Sequence, residues 1–242
     1  PIPIHSISVE VTHRCHRRCA FCYVEGRMSQ DTEASSEELP ILALAQRVRE
    51  LCDATGCRRI QLSGGEPLLR RDLLDFIDAL EDCSLSLLTD AAHLDEPLVR
   101  ELRQRRIGPI QPTLLASHAE DHDALRGEGS FRATTRGLAT AAAAGIPTIV
   151  SMVVTSKNWA DASGVAELAF ALGAKTFGLA RFCPAAGARD ALDTLMPSAH
   201  QVAKAAESAA PLCRAVGLKL ASIITIPSCV WPDPTRPLVK TG

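Results

Sequence analysis

Arg59-Ile60-Gln61-Leu62-Ser63-Gly64-Gly65-Glu66-Pro67, followed by Leu73, Phe76, Ile77 and Leu80, is one complete strand–loop–helix unit. The first five residues form a short run closed by a glycine turn, as a strand does. The apolar residues after it recur at the three-and-four spacing of an amphipathic helix. The same unit can be read outward in both directions. Upstream, His5 to Thr12 alternates Ile7, Val9 and Val11 with polar residues, and Ile41, Leu44, Ala45, Val48 and Leu51 mark a helix. Ser35 and Glu38 have capping-box spacing at that helix's start, with Pro40 in its first turn. Downstream, Leu85 to Thr89 precedes a helix over Pro97 to Arg105, and Ile110 to Leu115 one over Phe131 to Ala144. Thr148 to Thr155 precedes a helix carrying Val165, Leu168, Ala169 and Leu172, and Thr176 to Phe182 one over Ser198 to Val216.

Strands alternating with helices predict an α/β fold with a parallel sheet and right-handed crossovers. Eight units would close a barrel, whereas the six read here (about one per 35–40 residues) leave either an open, partial barrel or a doubly wound sheet. Both alternatives put the chemistry at the C-terminal ends of the strands. The units fill residues 1–225 of the 242, so these are expected to form one domain. Four prolines, Pro227, Pro232, Pro234 and Pro237, then make 226–242 a stub through which no helix runs.

A hydrophobic content of 46% is ample for a core and excludes a disordered chain. The formal charge is −2, from 26 basic and 28 acidic residues, and gives no field to draw nucleic acid or an anionic membrane. Residues 137–156 carry no charge over a bilayer-spanning length, but Gly145-Ile146-Pro147 divides them into an Ala-rich half and a β-branched half. A buried helix followed by a buried strand is expected there. No basic, apolar, small-residue leader opens the sequence, so a cytoplasmic protein is expected. In that compartment nine cysteines point to metal ligation or catalysis rather than disulfides.

Directly after the first strand comes Cys15-His16-Arg17-Arg18-Cys19-Ala20-Phe21-Cys22-Tyr23, a Cys-x3-Cys-x2-Cys loop. Three thiolates this close suit one inorganic centre. An iron–sulfur cube so held keeps one iron without a protein ligand, the open position that a reactive site needs. Structural zinc, with His13 or His16 as fourth ligand, fits the spacing too. The Gly64-Gly65-Glu66-Pro67 turn lets backbone groups approach a ligand closely, and Glu66 adds a carboxylate for an ammonium group. An ordinary strand-to-helix turn would read the same way. Cys52, Cys57 and Cys83 are expected as packing residues. Cys183 follows the sixth strand and so can reach the active face, while Cys213 and Cys229 have no assigned role.

Taken together, the cysteine loop and the Gly-Gly-Glu-Pro turn resemble the signature of the radical S-adenosylmethionine (SAM) enzymes, over roughly residues 5–225. The resemblance implies a partial (β/α)6 TIM-type barrel and a [4Fe–4S] cluster on Cys15, Cys19 and Cys22. It also implies reductive cleavage of SAM to methionine and a 5′-deoxyadenosyl radical that abstracts hydrogen from a substrate. Phe21 and Tyr23 would then border the adenine, and Gly64, Gly65 and Glu66 would hold the methionyl amino group. Where the family often has Thr-Asn-Gly after the third strand, this chain has Thr89-Asp90-Ala91, and its fourth strand ends Thr113-Leu114-Leu115-Ala116-Ser117. Thr89, Thr113, Ser117 and Ser151 are the hydroxyl-bearing candidates for ribose or carboxylate contacts, each equally readable as a structural hydrogen bond.

His122-Asp123-Ala124-Leu125-Arg126-Gly127, Gly129-Ser130-Phe131, Arg181 to Gly187 and Ile226-Pro227-Ser228-Cys229 are similar to segments of the branch bearing a C-terminal SPASM or twitch extension. An auxiliary cluster would belong to such an extension, whose cysteines would begin at about Gly242. For that branch the expected substrate is a ribosomally made peptide receiving a carbon–carbon or thioether crosslink. The alternatives are a small molecule (an aminosugar or cofactor precursor) and a non-enzymatic module holding zinc or a cluster. His13, Arg14, Arg17 and Arg18 suit an acidic electron donor of flavodoxin or ferredoxin type. His118 and His122 are expected in a solvated loop, and Arg103 to Arg106 at the exposed end of the third helix.

Overall fold

The computed structural model describes residues 3–24, 28–29, 38–224 and 226. Its frame is seven parallel strands. They are β1 (Ile7–Glu10), β2 (Arg59–Ser63), β3 (Ser84–Leu88), β4 (Ile110–Gln111), β5 (Ile149–Val154), β6 (Thr176–Arg181) and β7 (Lys219–Ser222). Neighbours in sequence are neighbours in space: β1 to β4 pair in order, and so do β5 to β7. The two runs meet where Ile110 bridges Thr148 and Thr113 bridges Ser151. A doubly wound sheet reverses its strand order at a switch point, whereas unbroken order is the winding of a barrel. The architecture is therefore a partial (β/α)6 barrel with one further strand.

That seventh strand was not among the six expected units. Lys219–Ser222 buries Leu220, and the helix before it returns the chain beside β6. The fourth strand is shorter than expected. Pro112 has no N–H to donate, so the ladder stops at Gln111 and resumes through the Pro112 carbonyl, which accepts from Ser151.

The helices follow their strands: α1 (Ile41–Thr55), α2 (Leu73–Ala79), α3 (Glu96–Gln104), α4 (Ala119–Arg126), α5 (Ser130–Ala143), α6 (Ala162–Ala171), the single turn α7 (Leu192–Leu195) and α8 (Ala199–Val216). Pro40 stands just outside α1, and no side chain caps that end. Ser35 lies outside the described residues, and Glu38 bonds Thr12 instead. A capping box does form at α8, between Ser198 and Gln201. The uncharged stretch is helix α5, then strand β5, as expected, and no helix among the described residues is long and apolar enough to cross a membrane. The stretch 227–242, with Cys229, lies outside the described residues.

Two apolar layers hold the elements. One joins β1–β4 to α1, α2 and α3 through Val48, Leu62, Phe76 and Leu102, and the other joins β5–β7 to α6 and α8 through Met152, Val165, Phe177 and Ala206. Cys52, Cys57 and Cys213 are buried in packing positions, and Cys83 is partly so. His122 corrects the expectation of a solvated loop: it is fully buried on α4, where its Nδ1 accepts from the Leu115 amide. Arg103 and Arg106 are exposed at the end of α3, as expected, and Arg105 there pairs with Asp78 and Glu101.

One close approach fixes the loop after β3. Ala91 sits at φ 65, in the left-handed region that disfavours a side chain. A Cβ on Gly137 of α5 would overlap its carbonyl oxygen. Gly137→Ala is expected to lose about 1–3 kcal/mol through overpacking, as measured by urea unfolding. Helix propensity alone would give a gain of up to about 1 kcal/mol, so a gain would contradict this packing.

Candidate functional site

The cysteine loop and the Gly-Gly-Glu turn are laced together through their backbones. Val11 N–H donates to the Ser63 carbonyl at 3.0 Å, Gly65 N–H to that of Thr12 at 2.8 Å, and Glu66 N–H to that of Arg14 at 2.8 Å. A Cβ on Gly64 would overlap the Thr12 carbonyl, and one on Gly65 that of Arg14. The glycines thus admit the chain's own backbone. The stalk of the cysteine loop is held from below as well. Thr12 Oγ1 and His13 N–H both donate to Glu38 at 2.6 and 3.1 Å, and the buried Arg70 guanidinium donates to the Val11 and Leu39 carbonyls.

Between the two loops lies a cleft of about 150 Å³ at the C-terminal ends of β1 to β4. Cys15, Cys19, Phe21, Cys22, Tyr23, Gly64, Gly65, Glu66, Thr89 and Thr113 all line it. Ser117, Ser151 and Cys183 are not among its lining residues. Ser117 Oγ donates to Asp161, while Ser151 Oγ lies 3.0 Å from Thr113 Oγ1, behind the wall. Cys183 is partly exposed in the turn after β6.

Glu66 is only 2% exposed. Its Oε1 accepts from Thr89 Oγ1 at 2.6 Å and from the Leu68 amide at 3.1 Å, and its Oε2 from the Asp90 amide at 2.8 Å. Burial, then the Asp90 charge, push its pKa up, against those three bonds. Burial would raise Asp90 as well. There the His16 imidazole, the Ala92 amide and Arg126 outweigh it and hold the carboxyl below the usual range.

Among the wall residues not singled out from the sequence as ligand contacts are Asp90, Gln111 and Arg126. Arg126 donates from Nη1 to the Thr113 carbonyl at 3.0 Å and lies 5.7 Å from the Phe21 ring centroid. Its Nε is buried without a partner. No local signal marks it, since Arg126 closes a mostly polar helix whose other buried side chain is His122. Two of the cysteine loop's three arginines are turned inward. Arg14 lies 3.9 Å from Glu38 and Arg17 3.1 Å from Asp90, so Arg18 and His13 are the more exposed members of the expected basic patch.

The donor set fits an iron–sulfur cluster. Burial pushes the Cys15 thiol up to about 11, so a thiolate there needs a metal to hold it. Among the described residues no three His, Cys, Asp or Glu side chains converge on one ion position. Cys15, Cys19 and Cys22 share one cleft wall, and a cube takes its thiolates at separate corners. The histidines expected as a fourth zinc ligand are engaged elsewhere, His13 near Glu10 and His16 against Asp90.

A family model described as "Radical SAM superfamily" matches residues 9–169. The chain belongs to that superfamily. Its relatives include a probable GTP 3′,8-cyclase of Archaeoglobus fulgidus, 30% identical over 62% of this chain and 49% of that protein. Another is the PqqA peptide cyclase of Methylocella silvestris, 30% identical over 69% of this chain and 44% of that protein. The chain thus spans about half the length of the curated relatives it matches. Streptococcus suis SuiB bound to its precursor peptide SuiA shares the fold, with a TM-score of 0.74 and 16% identity over 91% of this chain and 48% of SuiB. Radical SAM enzymes use SAM and a [4Fe–4S] cluster, so the family supplies the cofactors.

The buried His122 gives the fold a pH signature. Burial, then Arg126, push its pKa down to about 3. A histidine whose folded pKa lies below its unfolded value of about 6.5 is destabilising wherever the unfolded chain gains the proton. Its contribution is intact above that value and is lost as the pH falls toward the folded pKa. Between pH 6.5 and 4, wild type is therefore expected to lose stability more steeply than His122→Gln, by at most about 1.4 kcal/mol per pH unit. Urea unfolding across that range checks it, and parallel curves would contradict it.

Proposed function

We propose that Cys15, Cys19 and Cys22 hold the [4Fe–4S] cluster, that SAM binds across the Gly64–Glu66 turn, and that the enzyme modifies a ribosomally made peptide. The observation that carries the first two parts is the single cleft shared by all three thiols and the Gly-Gly-Glu turn. The chemistry the bound group supplies is one-electron reductive cleavage of SAM to methionine and a hydrogen-abstracting 5′-deoxyadenosyl radical. What this chain contributes is orientation and shielding.

The Gly65 and Glu66 amides are already spent on Thr12 and Arg14, and the Glu66 carboxylate on Thr89, Leu68 and Asp90. The Gly64 and Gly65 carbonyls are the acceptors left for the methionyl ammonium, and Glu66 fixes the turn that presents them. Arg126, with a buried unpartnered Nε and a place in the wall, offers fixed positive charge to a carboxylate. Thr113 stands beside it for a hydroxyl contact. Phe21 packs near Phe182 and Leu195, which makes a firm apolar border for the adenine, with the Tyr23 backbone at its edge.

Support for a peptide substrate comes from the PqqA peptide cyclase among the relatives, 30% identical to this chain. The GTP 3′,8-cyclase relatives favour the second reading, a small molecule of cofactor-precursor type.

Anaerobically prepared protein is expected to be brown, to carry about four irons, and to release 5′-deoxyadenosine from SAM on reduction, with Cys19→Ala releasing none. Colourless protein with one zinc, or undiminished cleavage in the variant, would refute the cluster assignment. Incubation with candidate precursor peptides or GTP, followed by mass spectrometry, tests the substrate. A mass change on a peptide is expected; turnover of GTP alone would overturn the peptide reading.

A further inference from the structure

Asp90 stands where the family often has asparagine, and its two oxygens face opposite ways. Oδ1 accepts from the Ala92 amide at 2.9 Å, within its own loop. Oδ2 accepts from Arg17 Nε at 3.1 Å and lies 2.9 Å from His16 Nε2, both on the cysteine loop. His16 is held on another side by the His93 ring, edge-on at a centroid distance of 4.7 Å. The backbone of Asp90 is fixed independently, its N–H on Glu66 Oε2 at 2.8 Å and its carbonyl on Thr134 Oγ1 at 2.9 Å. The carboxylate therefore projects from a braced support at the end of β3 onto the two residues that follow Cys15.

Asparagine cannot reproduce this. A carboxylate accepts on both oxygens, whereas an amide must turn its NH2 either to the Ala92 amide or to Arg17, donor against donor. The charge also matters, since charge-assisted bonds to Arg17 are about twice as strong as neutral ones.

We infer that Asp90 is a positioning residue for the cysteine loop, holding Cys15 at its place in the cleft through His16 and Arg17. The inference rests on the cluster assignment proposed above. Groups one step removed from metal ligands typically change metal affinity by about 10–100-fold when lost. Asp90→Asn in the reconstituted holoenzyme is expected to speed iron loss to a ferrous chelator by about tenfold and to shift the electron paramagnetic resonance spectrum of the reduced cluster. His16→Ala removes the partner without touching β3 and is expected to do the same. The double variant should be little worse than Asp90→Asn alone, because that substitution already disturbs the contact that His16→Ala removes. If Asp90→Asn fails to fold, His16→Ala and Arg17→Ala carry the test from the loop side. Variants with wild-type iron retention and spectra, or losses that simply multiply in the double variant, overturn the inference alone. Wild-type protein that binds no iron overturns the cluster assignment, and this inference with it.

Discussion

The site depends on one close approach: the Gly64-Gly65 backbone lies against the backbone of Thr12 to Arg14, at a distance no side chain permits. Three backbone bonds between the two loops seal it, from Val11, Gly65 and Glu66. Each contributes only about 0.5–1.5 kcal/mol net, so their importance is geometric. They bring the end of β1 and the end of β2 into one surface, and everything assigned to the cleft stands on that surface. The strand order makes this possible, because β1 and β2 are paired in register from Ile7 with Ile60 to Glu10 with Ser63.

The carboxylates are organised around the same seam. Glu66 closes the turn from inside, bonded to the loop after β3, and Asp90 on that loop reaches back to the cysteine loop. A buried carboxylate without partners is costly. Here every oxygen has at least one, and the connections run in a ring from the second strand to the third and back to the first. Such a network rigidifies only when it is complete. Ala91, held at positive φ beneath Gly137, is the point where the ring is braced against helix α5.

Much of this was legible in the sequence. The alternation of strands and amphipathic helices placed the six βα units to within a few residues, because apolar spacing records burial directly. The cysteine loop and the glycine turn could be placed on one face from strand direction alone. Pairings between distant residues were not legible. Nothing local tells that Asp90 meets His16 and Arg17, that Arg126 returns to the wall beside Thr113, or that His122 is buried rather than solvated. Helix α4 was missed because its eight residues are mostly polar, with His122 and Arg126 as its buried side chains. The seventh strand was missed because four residues between a helix and a proline-rich run give too short a pattern. Ser117 and Ser151 carry hydroxyls at the right strand ends, but partner side chains take them up out of the cleft.

The central claim is that the seam between the two loops makes the SAM site, and Gly65→Ala tests it most directly. The variant protein would be reconstituted with iron, reduced, and followed by electron paramagnetic resonance with and without added SAM. With the cluster loaded and the fold intact by circular dichroism, the account predicts that the change SAM causes in the wild-type spectrum is lost. A Gly65→Ala protein whose spectrum responds to SAM as wild type does would contradict it.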